Sequence, residues 1–273
     1  MKLAQDAPIP LDAALACEPG ELLALVGPSG SGKSTILRVI AGLVRPRGGV
    51  VSCNGETWLD TGRRVDLPPQ RRAVGLVFQH YALFPHLTAL ENITLALRSL
   101  PRAAQHERAR ALLELVNLTG FEARRPAELS GGQQQRIAVA RALARDPRVL
   151  LMDEPFSAVD QVTRRKLQRE LVQLRRTLQI PLVLVTHDLE EARMLADQLS
   201  ILHRGQTVRR GPPAEVMSRP GEAQVARMIG LTNLAVSFSL ALWVALRARE
   251  TEFTRTRELA GVLLRRFAAT PAR

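Results

Sequence analysis

One glycine-rich segment, GPSGSGKS, constrains the fold of this chain more than any other feature. It extends from Gly27 to Ser34 and matches the pattern G-x-x-x-x-G-K-S. The preceding ELLALV is typical of a buried strand, and KSTILRVIAGL has the apolar spacing of a helix from Lys33 to about Leu43. This order predicts a βα unit whose turn binds phosphate, with a plain glycine-rich turn and a solvated lysine as the alternative.

The turn offers several groups to a nucleotide. Its backbone amides and the positive end of the helix would surround a β-phosphate, and Lys33 would bring positive charge to the β- and γ-phosphates. The Ser34 hydroxyl would ligate Mg²⁺. The predicted ATP-binding residues are Gly27, Pro28, Ser29, Gly30, Ser31, Gly32, Lys33, Ser34 and Thr35.

Three more apolar runs predict strands of a parallel sheet. RAVGLVFQ ends at Gln79, PRVLLMDEP ends near Asp153 and IPLVLVTHD ends near His187. QLSILHRGQTVRRGPP predicts a hairpin, whereas the pattern over about residues 84–145 is helical. We therefore expect an α/β core with a helical insertion.

The ends of the predicted strands carry the candidate chemistry, because ligands of open α/β sheets bind there. Asp153 suits Mg²⁺ coordination of the Walker-B type, and Glu154 suits a general base that orients or deprotonates water. A surface turn is the alternative for this pair of acids. Gln79 and His187 also fall at strand ends, where an isolated Gln or His is more often an ordinary satisfied polar residue.

Composition limits the classes of protein to consider. The 273 residues are 46% hydrophobic and 23% charged, as in ordinary globular proteins. Of the 38 basic residues behind the net charge of +12, only three are lysines, and the arginines are spread among acids over every segment. This distribution argues against nucleic-acid binding and favours a solvated Arg-rich surface, with an anionic partner or membrane surface as the alternative.

The cysteines and the N-terminal segment indicate the compartment. Cys17 and Cys53 lack the paired spacing of a zinc site or a disulfide framework, which favours a reducing environment. The first residues, MKLAQDAPIPLDA, contain an Asp and two prolines where a signal peptide needs an apolar run. We expect a cytoplasmic protein.

The segment LSGGQQQR, residues 129–136, is a second candidate anion site. Its Ser can cap a helix, and its glycines let a ligand reach the unpaired amides at the start of that helix. A phosphate loop followed by VFQ, LSGGQ, LLMDEP, SAVD and VTHD resembles the ATP-binding cassette (ABC) ATPases over about residues 10–230. The resemblance implies a P-loop NTPase (RecA-like) parallel-sheet core with a helical subdomain at about residues 84–145. It also implies an ATPase domain over residues 1–233, followed by a short tail over residues 234–273.

The resemblance further implies a site shared by two chains, with ATP and Mg²⁺ bound. The signature residues Ser130, Gly131, Gly132 and Gln133 would act on the ATP held by Lys33 of the opposite chain. Asp160 would belong to a loop that crosses the dimer interface. The implied catalytic residues are Glu154, His187 and Gln79, and the implied Mg²⁺ ligands are Ser34, Gln79 and Asp153.

Within the family, LPPQRRAVGLVFQHYALFPHLTALENI and EPFSAVDQVTRRKLQREL look most like importer subunits, closest to the molybdate branch. The implied partners are a second ATPase subunit, integral-membrane permease subunits and, indirectly, a solute-binding protein, at the cytoplasmic face of a bacterial inner membrane. An exporter motor is one alternative. A soluble ABC ATPase acting on nucleic acids or ribosomes and a non-catalytic nucleotide switch are weaker ones.

The chain departs from the family in three places. No aromatic residue precedes Trp58, so the usual stacking partner of adenine is missing and adenine affinity is expected to suffer. The N-terminal segment looks one strand short. The tail is Ala/Leu/Arg-rich and contains the apolar run LAVSFSLALWVAL over residues 234–246. We expect it to lack the β-rich regulatory domain of related subunits, as a truncated or frame-shifted tail would.

Overall fold

The computed structural model describes residues 2–5, 11–218 and Val225. These residues contain the strands β1 (Lys2–Gln5), β2 (Leu11–Ala14), β3 (Leu22–Val26), β4 (Gly48–Cys53), β5 (Glu56–Asp60), β6 (Val65–Asp66), β7 (Val74–Val77), β8 (Val149–Asp153), β9 (Leu182–Thr186), β10 (Gln198–His203) and β11 (Gln206–Gly211). They form one mixed sheet in the order β6-β5-β4-β1-β2-β11-β10-β3-β9-β8-β7.

The same part of the chain forms seven α-helices, several of them short. They are α1 (Lys33–Ile40), α2 (Ala89–Thr94), α3 (Arg102–Leu115), α4 (Gly131–Leu143), α5 (Gln161–Leu178), α6 (Leu189–Leu195) and α7 (Pro213–Ser218). Single 3₁₀ turns lie at Pro69–Arg71, Leu95–Leu97 and Pro126–Glu128. No helix in these described ranges is long and apolar enough to cross a membrane.

The strands β10, β3, β9, β8 and β7 run parallel, and β3 and β9 are buried at every position. This arrangement matches the predicted parallel core, and β10 and β11 form the predicted hairpin. Because parallel strands end at one edge of a sheet, the phosphate turn and the residues that follow β7, β8 and β9 share that edge.

Alternate side chains of these strands pack on opposite faces of the sheet, as the pleat requires. Leu22 and Leu184 join an apolar cluster that includes residues of α2, α3 and α4. Leu25 and Val185 join a second cluster with α1 and with the fully buried Trp58 of β5. The helices α2, α3 and α4 lie within the range where the sequence predicts a helical insertion.

Helix α1 begins at Lys33, as predicted, but ends at Ile40, three residues before the predicted end. Gly42 has a left-handed φ of 79°, which a glycine adopts without strain. The N–H of Leu43 then donates to the carbonyl of Arg38 at 2.8 Å and closes the helix. The glycine in IAGL therefore ends the helix before the apolar pattern does.

The antiparallel strands β1, β2, β4, β5 and β6 extend the sheet beyond the parallel core. Two of them, β1 and β2, precede β3. That the N-terminal segment is one strand shorter than in the family stays a prediction. The hairpin between β4 and β5 turns at Asn54 and Gly55, whose φ angles of 49° and 78° fit a tight hairpin turn. The sequence analysis does not predict this hairpin, although Asn-Gly is typical of such turns.

The chain divides into two units, residues 1–219 and 220–273, and nearly all described residues belong to the first. The predicted tail, residues 234–273, with its apolar run over residues 234–246, lies outside the described residues. Both cysteines are free and half-buried. Burial raises the pKa of Cys17 to about 12, so that this thiol stays protonated at neutral pH.

Candidate functional site

The phosphate turn between β3 and α1 has a backbone that only glycine accommodates well. A Cβ atom on Gly27 would lie 2.1 Å from the carbonyl oxygen of Leu202. Gly30 and Gly32 have left-handed φ angles of 78° and 95°. The glycines thus shape a turn that leads directly into the first amides of α1, which is the geometry expected of an anion cradle.

Lys33 is 6% exposed and folds back over this turn. Its Nζ donates to the carbonyl oxygens of Gly27 at 2.7 Å and Pro28 at 3.0 Å. Burial lowers the pKa of Lys33, and the nearby carboxylates of Glu154 and Asp153 oppose that shift. The ammonium group is thus a buried cation whose present acceptors are neutral carbonyls that phosphate oxygens could replace.

Ser34 and Asp153 connect α1 with the end of β8. The Ser34 hydroxyl donates to Oδ1 of Asp153 at 2.8 Å. Burial raises the pKa of Asp153, against the opposing hydrogen bond from Ser34. In the described ranges no group of three or more His, Cys, Asp and Glu side chains is arranged so that it could hold a metal ion. One hydroxyl and one carboxylate fit Mg²⁺, which usually binds one or two carboxylates together with phosphate oxygens and water.

Glu154 follows β8 with a left-handed φ of 45°, which is uncommon for a non-glycine residue. Its N–H donates to the carbonyl of Val185 at 3.0 Å, which ties the turn to β9. Its Oε2 lies 3.0 Å from Nδ1 of His187 and accepts a long bond of 3.5 Å from Nε2 of Gln79. The structure therefore brings together the residues after β7, β8 and β9, as the sequence predicts for Gln79, Glu154 and His187.

The predicted Mg²⁺ ligands meet only in part. Ser34 contacts Asp153, whereas the side-chain contact of Gln79 is with Glu154. Gln79 is exposed, and its 3.5 Å bond is at the limit of a hydrogen bond. The role of Gln79 as a metal ligand stays a prediction.

Ser130 caps helix α4 with a reciprocal pair of bonds. Its hydroxyl accepts from the N–H of Gln133 at 3.3 Å, and the Gln133 side chain accepts from the N–H of Ser130 at 2.8 Å. Gly132 faces α5, since a Cβ on it would lie 2.7 Å from the methyl group of Thr163, and Gly131 faces Val159 in the loop before α5. The start of α4 is therefore both capped and closely packed.

Asp160 caps the neighbouring helix α5, with Oδ1 accepting from the N–H groups of Val162 and Thr163 at 3.0 Å each. Hydrogen bonds, first from the Thr163 side chain, hold the pKa of Asp160 below its usual value. In the described part of the chain no hydrogen bond or ion pair joins Ser130 or Asp160 to Lys33 or Glu154. Their predicted roles across a dimer interface stay predictions.

Trp58 is fully buried, and its Nε1 donates to Glu56 at 3.2 Å. It cannot stack on a nucleotide, so the expected lack of an aromatic partner for adenine is not compensated by this side chain.

Sequence reasoning missed two arginines that bond to elements of the site, one to helix α1 and one to the loop after Gln79. Arg72 is 3% exposed and donates to the carbonyls of Val39 and Ile40 at 2.7 and 2.9 Å, at the C-terminal end of α1. Arg141 of α4 donates to two carbonyls of the chain that follows Gln79. No spacing pattern singles out these two among so many arginines.

A comparison with protein families gives two matches. The family described as ABC transporter matches residues 11–157. The family described as site-specific recombinase matches residues 223–273, of which only Val225 lies in the described part.

Among curated proteins, the spermidine/putrescine import ATP-binding protein PotA of Bacillus thuringiensis (strain Al Hakam) is 46% identical over 217 residues, covering 79% of this chain and 64% of that protein. The sulfate/thiosulfate import ATP-binding protein CysA 2 of Agrobacterium fabrum is 48% identical over 226 residues, covering 81% of this chain and 64% of that protein. The chain thus spans slightly less than two thirds of the length of these relatives.

Among solved structures, the ATP-binding cassette MJ0796, described as a dimer in a post-hydrolysis state bound to ADP and Pi, matches with a TM-score of 0.64 and 33% identity. The match covers 78% of this chain and 95% of that chain. It confirms the predicted fold, a P-loop core of parallel strands with added helices.

Proposed function

The chain belongs to the ABC transporter family, and from this premise we propose that it is the ATP-hydrolysing subunit of a membrane importer. One observation carries the proposal. Glu154 is held between His187 and Gln79, next to the Ser34–Asp153 pair and the Lys33 turn. A base for water, a metal-binding pair and a phosphate cradle are the three parts that phosphoryl transfer to water requires.

Binding of ATP uses the phosphate turn. The amides of the turn and of the first turn of α1 bind the phosphate oxygens, and Lys33 exchanges its bonds to Gly27 and Pro28 for bonds to phosphate. Ser34 and Asp153, which contact each other at 2.8 Å, would hold Mg²⁺. When bound, Mg²⁺ neutralises charge that develops on the transferred phosphoryl group.

Hydrolysis uses the residues after β8 and β9. Oε2 of Glu154 lies 3.0 Å from Nδ1 of His187. The histidine tautomer with its proton on Nδ1 donates to this oxygen and holds the carboxylate in place. Glu154 then orients the attacking water and accepts its proton. Gln79 contacts the same carboxylate and links it to the loop that follows β7.

The complete site needs a second copy of the chain. Ser130 is exposed, and the hydroxyl, amides and positive end of α4 can receive a γ-phosphate from outside the chain. The dimeric state of the similar cassette MJ0796 supports two chains packed head to tail. We assign Asp160 to the same interface, because its loop packs beside Gly131 through Val159.

Import is the direction named for both relatives, one a polyamine importer and the other a sulfate/thiosulfate importer. Permease subunits, a solute-binding protein and the cytoplasmic face of a bacterial inner membrane belong to this proposal. For the solute we propose an oxyanion, such as molybdate, which resembles sulfate in charge and tetrahedral shape. A polyamine is the second candidate, because PotA relatives match almost as closely.

Phosphate release from ATP by the purified chain tests the catalytic proposal. It should require Mg²⁺ and rise more than linearly with protein concentration, because each site takes groups from two chains. Full activity per chain under conditions that exclude dimers would contradict it. Uptake of labelled molybdate, sulfate and spermidine is compared between cells that carry the native chain and cells that carry Lys33→Ala. This comparison separates oxyanion import from polyamine import.

A further inference from the structure

The loop that follows Gln79 contains two consecutive residues with strained backbones. Tyr81 and Ala82 have left-handed φ angles of 59° and 48°. Side chains with a Cβ disfavour this region, and such residues persist only where the surrounding structure holds them. The N–H of Tyr81 donates to Phe78 at 2.9 Å and that of Ala82 to His80 at 2.6 Å, so the turn is also tight.

Arg141 holds this turn from helix α4. One terminal nitrogen of its guanidinium group donates to the carbonyl of Ala82 and the other to that of Tyr81, both at 2.8 Å. The guanidinium carbon also lies 5.9 Å from the ring centre of Phe84, within the range of a cation–π contact. The planar fork of an arginine suits two neighbouring carbonyls, which a lysine cannot bridge in the same way.

The guanidinium group of Arg141 is satisfied by these contacts alone in the described part of the chain. Within the described ranges no carboxylate forms an ion pair with it. Burial lowers the pKa of Arg141, so its charge is partly desolvated and satisfied by carbonyl dipoles and an aromatic ring. A solvated surface arginine would show neither feature.

Helix α4 joins this contact to the signature. The helix begins at Gly131, directly after Ser130, and carries Arg141 near its other end. It also packs closely on β7, since a Cβ on Gly75 would lie 2.7 Å from the carbonyl of Ala142. An intact helix of this length behaves as one rigid element. A displacement at Ser130 therefore reaches Arg141.

We infer that Arg141 is a positioning residue that couples the signature end of α4 to Gln79 of the same chain, through the strained turn at Tyr81 and Ala82. The inference rests on the proposed function. A γ-phosphate that binds at Ser130 shifts α4, and Arg141 carries this shift to the turn and hence to Gln79 beside Glu154. Occupation of the signature thereby controls the placement of the groups around the attacking water.

The test compares Arg141→Met with Arg141→Lys and with the control Arg145→Met. Arg145 is an exposed residue just beyond α4 that donates to the carbonyl of Gln70. For Arg141→Met we expect kcat to fall at least about tenfold while KM for ATP stays within about twofold, because a positioning error affects the reacting groups more than binding. Arg141→Lys should fall between Arg141→Met and the parent, and Arg145→Met should match the parent.

A second readout is amide hydrogen exchange of residues 78–87 in the hydrolysis-deficient Glu154→Gln background. ATP should protect this segment in the parent and in Arg145→Met, but not in Arg141→Met. Ala82→Gly added to Arg141→Met should recover part of kcat, because glycine adopts the left-handed turn without support. A purely stabilising arginine would lower the melting temperature and leave both the kcat of folded protein and the ATP-dependent protection intact.

Retention of parent kcat and of ATP-dependent protection in Arg141→Met would overturn the inference. A loss of activity that only follows a loss of folded protein would overturn it as well. If the parent chain neither binds nor hydrolyses ATP, the proposed function itself fails. This result is distinct from an active parent whose kcat is unchanged in Arg141→Met.

Discussion

Nδ1 of His187 lies 3.0 Å from Oε2 of Glu154, across the ends of the neighbouring strands β9 and β8. The two side chains differ in exposure, since that of His187 is 65% exposed and that of Glu154 is 22% exposed. The histidine thus covers the carboxylate and orients it from the solvent side. In our proposal this contact leaves the second oxygen of Glu154 free for the attacking water.

The first prediction concerns the charge of Glu154. Glu154→Gln should keep ATP binding and slow hydrolysis by about 10²- to 10⁴-fold, the usual loss when a general base is removed. Loss of a carboxylate that repels the γ-phosphate also favours the closed pair of chains. Light scattering should therefore detect a dimer with ATP that is lost with ADP.

Lys33→Ala in the Glu154→Gln background is the control for this dimer. Without the buried ammonium group the phosphates lack their principal counter-charge, so the ATP-dependent dimer should not form. A Glu154→Gln protein that stays monomeric with ATP and hydrolyses it at the parent rate would remove Glu154 from the catalytic role.

The second prediction separates the two roles of Ser130. As a plain helix cap it stabilises the fold by about 1 kcal/mol, and in the proposed dimer it would also contact ATP of the partner chain. Ser130→Arg should abolish hydrolysis while ATP still binds to the phosphate turn. The measurement is phosphate release beside nucleotide binding and thermal unfolding.

Thr88 offers a matched control, because it caps α2 with the same reciprocal bonds to Glu91. Thr88→Arg should cost about as much stability as Ser130→Arg, on the order of 1 kcal/mol, and leave hydrolysis by the folded protein unchanged. Parallel losses of activity in the two variants would favour the cap as the whole role of Ser130.

The parallel core and the residues at its edge could be predicted from sequence because the signals are local. Continuous apolar runs such as LLALV and LVLVT indicate buried parallel strands, and each functional residue follows its run directly. The mixed exposure of β4 and β5 gives a weaker pattern, which does not predict their hairpin although Asn54 and Gly55 mark its turn.

The contacts of Arg72 and Arg141 could not be predicted in this way. Each arginine satisfies carbonyls that are distant in sequence, at Val39 and Ile40 for Arg72 and at Tyr81 and Ala82 for Arg141. Such pairs depend on how helices pack against the sheet, which local periodicity does not encode. The apolar spacing likewise predicts that α1 ends at about Leu43. One left-handed glycine, Gly42, ends the helix earlier.

The third prediction concerns Arg72, which is buried against the end of α1. Its guanidinium group donates to Val39, Ile40 and Leu67 and forms an ion pair with Asp66 at 3.2 Å. Arg72→Met removes all of these bonds from a buried site, so the free energy of unfolding should fall by about 2–4 kcal/mol. Urea denaturation measures this loss.

Arg45 provides the control, because it pairs with the same Asp66 at 3.4 Å while its own side chain is 71% exposed. Arg45→Met should lower the free energy of unfolding by less than about 1 kcal/mol, as is usual for exposed ion pairs. Similar losses for both variants would show that the charge of Asp66, and not the bonds to α1, determines the effect of Arg72.

The last prediction concerns the pH dependence of stability at Glu191, which is 4% exposed on α6 and accepts a hydrogen bond from Gln168 of α5 at 3.1 Å. Burial raises the pKa of Glu191 above its ordinary value of 4.5, so the folded state binds this proton more tightly than the unfolded state. Its contribution to stability is therefore complete below about pH 4.5 and is lost as the pH rises towards the folded pKa.

Glu191→Gln keeps an acceptor for Gln168 but removes the ionisation. The variant should therefore become more stable relative to the parent as the pH rises from the acid range to neutrality. Urea titrations at each pH measure this difference. Glu190→Gln, at an exposed neighbour paired with Arg193, is the control for replacing a glutamate on the same helix. A difference between parent and Glu191→Gln that stays constant with pH would mean that Glu191 ionises equally well in the folded and unfolded chains.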